Sequence, residues 1–320
     1  MRMLKYVIKR ILLMIMTFFI IMTICFVLIK LLPLPAVREM GRDINLILAR
    51  REAMGYNKPI LVQYYLFWKN VILHGDFGLG EQMYAGQEIS QIMLQKIPYT
   101  VVVNLYSISF AIPLGILFGI YAALKKNKWQ DHAISTIVML FISVPSFVYA
   151  FLVQYILCFK TGWFSLTVAS KETTPFISFT MFKSMFPAVL SMGFATVAGL
   201  TRFTRAELSE VLTSEYLLLA RTKGLTKRQA VVRHAMRNAM VPILPMILGE
   251  FIGILLGSLI IEKIFSIPGI GSLYLTSIGL RDYNFFMALT MFYTLISLVG
   301  GLVVDLSYGF IDPRIKMGER

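Results

Sequence analysis

One acidic residue falls inside an apolar stretch that is long enough to cross a membrane. Glu250 lies near the middle of the run from Val241 to Ile261. An ionisable side chain at that depth costs several kcal/mol unless it faces an aqueous cavity or a partner, so Glu250 is a candidate for lining a transport path. A structural role, in which it pairs with another helix, is the alternative. The other polar residues that could line the same cavity are Asn104, Ser146, Tyr149, Gln154 and Thr196.

The residue pattern does not predict a catalytic site. His74, His132 and His234 lie far apart, and no Ser-His-Asp, paired-carboxylate or metal-ligand spacing can be defended. The chain contains no Gly-Lys pair, which excludes a phosphate-binding loop of the G-x-x-x-x-G-K-S/T kind. Cys25 and Cys158 lie inside or at the edge of apolar runs, so they indicate neither a disulfide framework nor a metal site. If this chain moves a solute uphill, the work must come from another protein.

A charged insert, residues 202 to 240, separates two of the apolar runs. Ser214 and Glu215 suit a helix start, because a hydroxyl oxygen can accept from free N–H groups and a carboxylate favours the positive end of the helix dipole. The leucine-rich run 216–220 favours a helix, and Gly224 offers the left-handed geometry that ends one. We therefore expect a short helix that stops at this glycine.

A second helix is predicted directly after the glycine. Thr226 and Gln229 have the spacing of a capping box, so the helix should run from Lys227 toward Asn238. The insert as a whole is then helix, sharp turn, helix.

The leucines of the first short helix need some cover. About nine helical residues span only about 14 Å, which is too short for a membrane crossing. They could fold back on the core of the protein or lie in the headgroup layer. Alternatively they could insert into a partner protein, since contiguous exposed apolar surface usually marks an interface. The candidate docking residues are Glu215, Tyr216, Leu217, Leu218, Leu219, Ala220, Arg221, Lys223, Gly224 and Leu225.

Composition places the whole chain in a membrane. It has 320 residues, 57% of them hydrophobic, with a mean hydropathy of +0.72, which is too apolar for a soluble domain. We therefore predict an all-α polytopic membrane protein with six transmembrane helices. The predicted crossings are Ile11 to Leu32, Val101 to Leu124, Ile134 to Leu157, Met185 to Phe203, Val241 to Ile261 and Phe285 to Tyr308.

The distribution of cations predicts that both termini are cytoplasmic. With that orientation the inner pieces carry 18 Lys and Arg in 70 residues, and the two short outer loops carry 5 in 50. The net charge of +14 is spread beside the crossings, so lipid headgroups and not nucleic acid are the expected counter-charge. The first apolar run is longer than a signal-peptide core and has no A-x-A-like site after it, so we expect a retained anchor.

The organisation that follows has four parts: residues 1–32, a tail and the first crossing; 33–100, an external helical segment; 101–308, a five-helix core with the insert 202–240; and 309–320, a cytoplasmic tail. In the external segment, Asp43 should cap a helix through Ile44 to Met54 that Gly55 closes.

Two further short helices are expected in the external segment. Pro59 should open one that ends before Gly75. The spacing of Ile89, Ile92, Met93 and Lys96 predicts a third, amphipathic helix.

Four separated strings carry a family resemblance. The string EYLLLARTKGLTKRQAVVRHAMRNAMVP, from Glu215, resembles the coupling loop of permease subunits of ABC importers, in the branch that handles peptides and sometimes nickel. The generic pattern has Glu-Ala-Ala where this chain has Leu218, Leu219 and Ala220, and the departure fits the peptide branch. The other strings are GYNKPILVQYYLFWKNVILHGDFG from Gly55, IEKIFSIPGIGSLYLTSIGLRDY from Ile261 and IDPRIK from Ile311.

The resemblance implies a type I importer fold in which the first helix wraps five core helices. It implies a second similar permease, two ATPases that hold ATP and Mg²⁺, and an external substrate-binding (lipo)protein, in the cell membrane of a prokaryote. The cargo would be an oligopeptide or dipeptide, although nickel-chelate and glutathione systems share the pattern. Residues 217–220 would fill a groove on the ATPase, Arg221 and Lys223 would pair with its acidic rim, and Gly224 would set the turn. Residues 33–100 would be a platform for the binding protein, or only a plug over helix ends.

Two other classes of function remain open at this point. An ion-coupled secondary transporter could use Glu250 as a proton carrier, which suits a chain with inverted repeats and several intramembrane ionisable groups. We find no such repeat and only one acid at mid-membrane depth. A membrane scaffold or sensor without transport is the third class.

Overall fold

The computed structural model describes residues 2–34 and 44–311. These residues are helical apart from turns and one isolated antiparallel bridge between Leu79 and Glu88. The α-helices are α1 Arg2–Leu31, α2 Ile44–Ala53, α3 Ile60–His74, α4 Ile89–Leu124, α5 Trp129–Ser143, α6 Ser146–Val153, α7 Phe179–Val211, α8 Glu215–Thr222, α9 Lys227–Ala230, α10 Met236–Gly253, α11 Leu259–Ile264, α12 Ile270–Leu280 and α13 Tyr283–Ile311. Two π-helical segments, Gln154–Lys160 and Val231–Ala235, follow α6 and α9.

The chain divides into two compact units. Unit 1 consists of Met1–Thr100, Leu255–Lys263 and Ile267–Val299. Unit 2 consists of Val101–Ile254, Ile264–Ser266 and Gly300–Arg320.

Five helices of the described part are long and apolar enough to cross a membrane, and a bent pair is the sixth candidate. The five spans are Lys5–Leu31, Ile89–Leu124, Phe179–Val211, Lys227–Gly253 and Tyr283–Gly309. The all-α prediction is confirmed, and the predicted six spans are reached when the bent pair counts as one.

The third predicted crossing, 134–157, is not one straight helix. Trp129–Ser143 and Ser146–Lys160 meet at an angle of 102°. Val144 is extended, with φ −83° and ψ 128°, because the ring of Pro145 disfavours helical geometry in the residue before it. Hydropathy alone does not register such a break.

The fifth predicted crossing, 241–261, is displaced. The helix starts at Lys227 and stops at Gly253, before a turn in which Gly257 has φ +62°. The predicted helix from Lys227 toward Asn238 is therefore the beginning of a membrane span and does not end within the insert.

Two of the three short helices expected before residue 100 are confirmed. Helix α2 matches the first and is followed by Gly55 at φ +75°. Helix α3 matches the second and ends at left-handed Gly75, although Pro59 is its N-cap and not its first helical residue. The third prediction was wrong, because Ile89 begins the 36-residue helix α4, in which the expected amphipathic stretch is only the first turns.

Three of our predictions concern residues that are not described. Asp43 as a cap lies outside the described residues, as do 312–320 of the predicted tail 309–320 and most of the string IDPRIK.

The core of unit 1 has two apolar clusters. Met22, Phe26 and Ile29 of α1 pack against aromatic residues of α3 and against Met287 and Met291 of α13. The second cluster joins the start of α4 to α12 and α13; its buried members are Met83, Ile89, Ile92, Met93, Ile270, Leu273, Phe285, Ala288 and Leu289.

Unit 2 is organised around α7, which packs against α5, α6 and α10. Helix α4 approaches α7 closely, since a Cβ added at Gly115 would lie 2.7 Å from the Cβ of Leu200. A buried ion pair links α5 to α7, with Arg205 Nη2 donating to Asp131 Oδ2 at 2.8 Å.

Candidate functional site

Residues 214–229, which we call the elbow, have the predicted helix-turn-helix form. Helix α8 ends at Thr222, and Gly224 has φ +92°, a geometry that other residues rarely adopt. The capping box at the start of α9 is present: Gln229 N donates to Thr226 Oγ1 at 3.3 Å, and Thr226 N donates to Gln229 Oε1 at 3.0 Å. Both predictions from local sequence are confirmed.

The prediction that Ser214 caps α8 with its side chain was wrong. Its hydroxyl donates backward to the carbonyl of Val211 at 2.6 Å and makes no capping bond. The carbonyl of Ser214 nevertheless accepts from Leu218 N at 3.3 Å, so the helix begins at the expected place.

The three leucines of α8 point in different directions. Leu217 is only 4% exposed and packs in an apolar cluster of unit 2 with Leu208 and Ala230. The structure thus places Leu217 in the core of unit 2 and not on the exposed face of α8, while its predicted contact with a partner stays a prediction. Leu218 and Leu219 are 63% and 56% exposed.

The other elbow residues surround these two leucines. Tyr216 is 40% exposed, and Glu215 is exposed in the first turn of α8. Arg221 and Lys223 are exposed and join no ion pair among the described residues. Ala220 is half-buried, and Leu225 packs against the cluster that holds Leu217. The elbow thus presents a small apolar surface with two uncompensated cations beside it.

The candidate path residue Glu250 lies on α10 in unit 2, half-buried. Its Oε2 accepts from the hydroxyl of Thr196 on α7 at 3.2 Å. Both alternatives from the sequence retain a basis, since the acid pairs with another helix yet takes part in no ion pair among the described residues.

The remaining path candidates lie on other elements of unit 2. Asn104 is 8% exposed on α4. Gln154, in the π segment, donates to the carbonyl of Ile264 at 2.7 Å. Ser146 is half-buried at the start of α6, just after the bend.

Tyr149 is an aromatic core residue by its contacts. It is 6% exposed and meets Phe141 and Phe194 edge-on, at centroid distances of 5.8 and 5.6 Å.

A buried carboxylate that the sequence analysis did not single out lies in unit 1. Glu262 is 0% exposed. Its Oε1 accepts from Thr100 Oγ1 at 3.0 Å, and its Oε2 accepts from the backbone N–H of Gly271 at 2.9 Å and of Ser272 at 3.3 Å, in the first turn of α12. Burial raises the pKa of Glu262 to about 7, while these donors pull it back toward its usual value. We call this arrangement the Glu262 clamp.

Two glycines make room for the Glu262 clamp. An added Cβ at Gly269 would lie 2.3 Å from Glu262 Oε2, and one at Gly257 would lie 2.4 Å from Oε1. The glycine-rich string after Ile261 was a signal that could have indicated this packing, but its partner Thr100 is 162 residues away in sequence.

A second buried carboxylate, Asp282, follows α12. Its Oδ2 accepts from the N–H groups of Glu81, Gln82 and Met83 at 2.9, 2.7 and 2.9 Å. The side chain of Glu81 in turn forms a two-pronged ion pair with Arg51 of α2. Burial raises the pKa of Asp282, against the effect of its amide donors. This Asp282 clamp fixes the loop 76–88 in unit 1.

No group of three metal-ligating side chains converges among the described residues. The described residues therefore form three kinds of feature: the exposed surface of the elbow, the hydrogen-bonded pair of Glu250 and Thr196, and the two buried carboxylate clamps.

Two family models match the chain, one after the other. Residues 115–317 match the family described as binding-protein-dependent transport system inner membrane component. Residues 3–104 match the N-terminal part of such components.

Several relatives align over nearly the whole chain. The dipeptide transport system permease protein DppB of Lactococcus lactis is 33% identical, over 98% of this chain and 100% of the relative. The oligopeptide permease OppB of Haemophilus influenzae is 31% identical, also over 98% and 100%. The glutathione permease GsiC of Escherichia coli is 32% identical, over 98% of this chain and 99% of the relative.

A solved structure supports the fold. An amino acid ABC transporter crystallised with histidines superposes with a TM-score of 0.51 at 17% identity, over 68% of this chain and 94% of that one. The family match, the full-length relatives and the fold agree with the importer resemblance and not with an ion-coupled carrier. The chain belongs to the family of binding-protein-dependent transport system inner membrane components, as a permease subunit of an ABC importer and not an enzyme.

Proposed function

We propose that this permease carries oligopeptides or dipeptides that an external binding protein delivers. The coupling to ATPases rests on one observation in the elbow. Leu218 and Leu219 are exposed on a helix that the buried side chain of Leu217 holds in place. The relatives described as dipeptide and oligopeptide permeases support the substrate class.

The assembly would contain a second, similar permease, two ABC ATPases and the binding protein. ATP and Mg²⁺ would be held by the ATPases. Leu218, Leu219 and Tyr216 would enter a groove on an ATPase, and Arg221 and Lys223 would pair with acidic residues at its rim. Because Gly224 and the capping box fix the angle between α8 and α9, a displacement of α8 would be passed to α10, which continues from α9.

Transport then follows from a change of populations. ATP-driven closure of the ATPases would bring the elbows of the two permeases together and favour the outward-facing state, and the loaded binding protein would favour that state too. We place both termini in the cytoplasm, with residues 44–88 outside, on the distribution of cations. The bacterial origin of the relatives supports the cell membrane of a prokaryote.

Glu250 is the path residue with the clearest chemical role. Its carboxylate has a hydroxyl partner in Thr196 but no cation among the described residues. The α-ammonium of a peptide would compensate the charge during passage, whereas a peptide with a blocked amino terminus could not. Asn104, Ser146, Tyr149 and Gln154 complete the candidate path.

Reconstitution tests the proposal. The chain is co-expressed with its neighbouring transport subunits, purified and placed in proteoliposomes with the binding protein outside. We expect two ATPases per complex and peptide uptake that requires ATP. Uptake driven by a proton gradient without ATPases would instead establish the ion-coupled class, and a chain that is stable alone and transports nothing would establish a scaffold. In the working system, Glu250→Gln should slow uptake of free peptides and leave that of N-acetylated peptides unchanged.

A further inference from the structure

A groove in unit 1 lies between the last turns of α1 and the end of α12. Its volume is about 500 Å³, within the range of about 300–1,000 Å³ that is usual for small-molecule sites. Its walls are apolar and include Leu28 and Leu32 from α1 and Ile278 and Phe286 from α12 and α13. Three polar side chains, Ser277, Arg281 and Tyr283, also line it.

Three large apolar side chains in the walls of the groove are about half exposed. Leu28, Leu32 and Ile278 are 58%, 51% and 49% exposed. Leu28 lies within the apolar span Lys5–Leu31, so we expect this side of the groove to open toward lipid.

The cation in the groove, Arg281, has an uncommon backbone. It is the C-cap of α12, with φ 58° and ψ 38°, where glycine is the usual residue because it has no Cβ penalty. An arginine in this left-handed geometry carries a conformational free-energy cost that glycine would not, and such costs are common at functional sites. That side chain is exposed and joins no ion pair among the described residues. The adjacent Asp282 forms no ion pair with it among the described residues; its carboxylate accepts from backbone N–H groups of the loop 76–88.

Arg281 also lies at the right level for a headgroup. It separates α12 from α13, and the hydroxyl of Tyr283 donates to the carbonyl of Pro33, two residues beyond the end of α1, at 3.0 Å. The ends of two spans thus meet beside it, at the depth where hydrocarbon gives way to polar headgroups. A basic residue next to an apolar groove at this depth matches the shape and charge of a phospholipid.

We propose that this groove binds one anionic phospholipid, with an acyl chain along Leu28, Leu32 and Ile278 and the phosphate on Arg281. This lipid site does not depend on which solute the permease transports. Tyr283 borders the groove and helps to fix its rim through its bond to Pro33.

Lipid titration of the purified complex tests the site. The complex is stripped of lipid in detergent and titrated with phosphatidylglycerol or, separately, phosphatidylcholine, and native mass spectrometry counts the lipid that this subunit retains. We expect one tightly retained phosphatidylglycerol, with phosphatidylcholine about fivefold weaker, the factor that about 1 kcal/mol per surface cation implies.

Variants separate headgroup recognition from folding. Arg281→Gly should bring phosphatidylglycerol to the level of phosphatidylcholine while the thermal midpoint stays equal or rises, because glycine suits the left-handed cap. Arg281→Lys should keep most of the preference. Leu28→Trp should fill the groove and lose both lipids, whereas Leu13→Trp, at another exposed leucine of α1, should lose neither.

Three results would overturn the proposal. One is equal retention of the two lipids by the unchanged complex. Another is undiminished phosphatidylglycerol retention in both Arg281→Gly and Leu28→Trp. The third is an Arg281→Gly complex that keeps its lipid but loses affinity for the external binding protein, which would assign the arginine to a protein contact.

Discussion

The elbow leaves two leucines more than half exposed, whereas the Glu262 and Asp282 clamps keep their carboxylates completely out of solvent. In the elbow the backbone is set by neighbours in sequence, Gly224 at the turn and the Thr226–Gln229 capping box. In the clamps it is set by partners far away in sequence, since Thr100 reaches Glu262 and the loop 76–88 reaches Asp282.

The difference indicates different duties. A buried carboxylate with all its donors in place is costly to disturb, so the clamps hold unit 1 in one arrangement. An exposed apolar surface on a rigid turn is costly to leave uncovered, so the elbow is suited to a partner. Substitutions in the two regions should therefore have different effects on stability and on transport.

Gly269→Ala should have the largest effect on folding. The added methyl would lie 2.3 Å from Glu262 Oε2 and 2.4 Å from Thr100 Oγ1, so the Glu262 clamp must open. We expect a loss of about 3 kcal/mol or more, seen as little monodisperse protein and a lowered free energy of unfolding in micelles. The matched control is Gly279→Ala in the last turn of α12, the helix that Gly269 precedes as N-cap; nothing lies within 4 Å of an added Cβ there, so it should be neutral or slightly stabilising. Equal free energies of unfolding for the two variants would show that the Glu262 clamp does not stabilise unit 1.

The leucines of α8 should separate stability from coupling. Leu217→Ala should lower the free energy of unfolding by about 2–5 kcal/mol, because the side chain is buried. Leu219→Ser should leave the free energy of unfolding within about 0.5 kcal/mol of the parent and yet reduce ATP-driven uptake in proteoliposomes. The opposite assignment, with Leu219→Ser unstable or fully active, would contradict the exposed docking surface.

The Glu262 clamp should make stability depend on pH. Burial raises the folded pKa of Glu262 to about 7, above the value of 4.5 for an unperturbed glutamate. The folded state then binds the proton more tightly, so this group contributes full stability below about pH 4.5 and loses it as pH rises toward 7, by about 3 kcal/mol in all. The free energy of unfolding of the parent, minus that of Glu262→Gln, should therefore fall as pH rises across this window. A difference that stays flat would show that the donors balance burial, and one that grows with pH would show that they outweigh it.

The capping residues of the elbow should give the smallest effects. Thr226→Ala removes the hydroxyl that accepts from Gln229 N and should cost about 1 kcal/mol. Ser214→Ala should cost much less, because Ser214 makes no capping bond. The thermal midpoint of Thr226→Ala should therefore lie below that of Ser214→Ala, and the reverse order would contradict these hydrogen bonds.

The sequence predicted those parts of the fold that neighbouring residues determine. Gly224, the capping box and the left-handed glycines after α2 and α3 were predicted from local pattern, and the structure has them. The predicted spans ran straight through the 102° bend at Pro145 and past the stop at Gly253, because hydropathy measures length and composition and not backbone geometry. The half-buried residue Ser214 was assigned a capping bond that it does not make; its hydroxyl donates instead to the carbonyl of Val211, an acceptor that the local pattern does not reveal.

The clamps could not be predicted for a different reason. Glu262 follows a long apolar run and looks like an ordinary residue at a helix end, and only the chain folding brings Thr100 to its carboxylate. In the same way Leu217 is indistinguishable in sequence from Leu218 and Leu219, and its burial depends on Leu208 and Ala230.

Photo-cross-linking from the elbow shows whether its exposed leucines contact an ATPase. A photoreactive amino acid replaces Leu219 in the assembled importer, and Ile72 of α3, which is 65% exposed, serves as the control position. We predict that Leu219 gives an adduct with the ATPase that changes in yield when ATP is bound, and that Ile72 gives none. Adducts from Leu219 to lipid or to this chain alone would contradict the account.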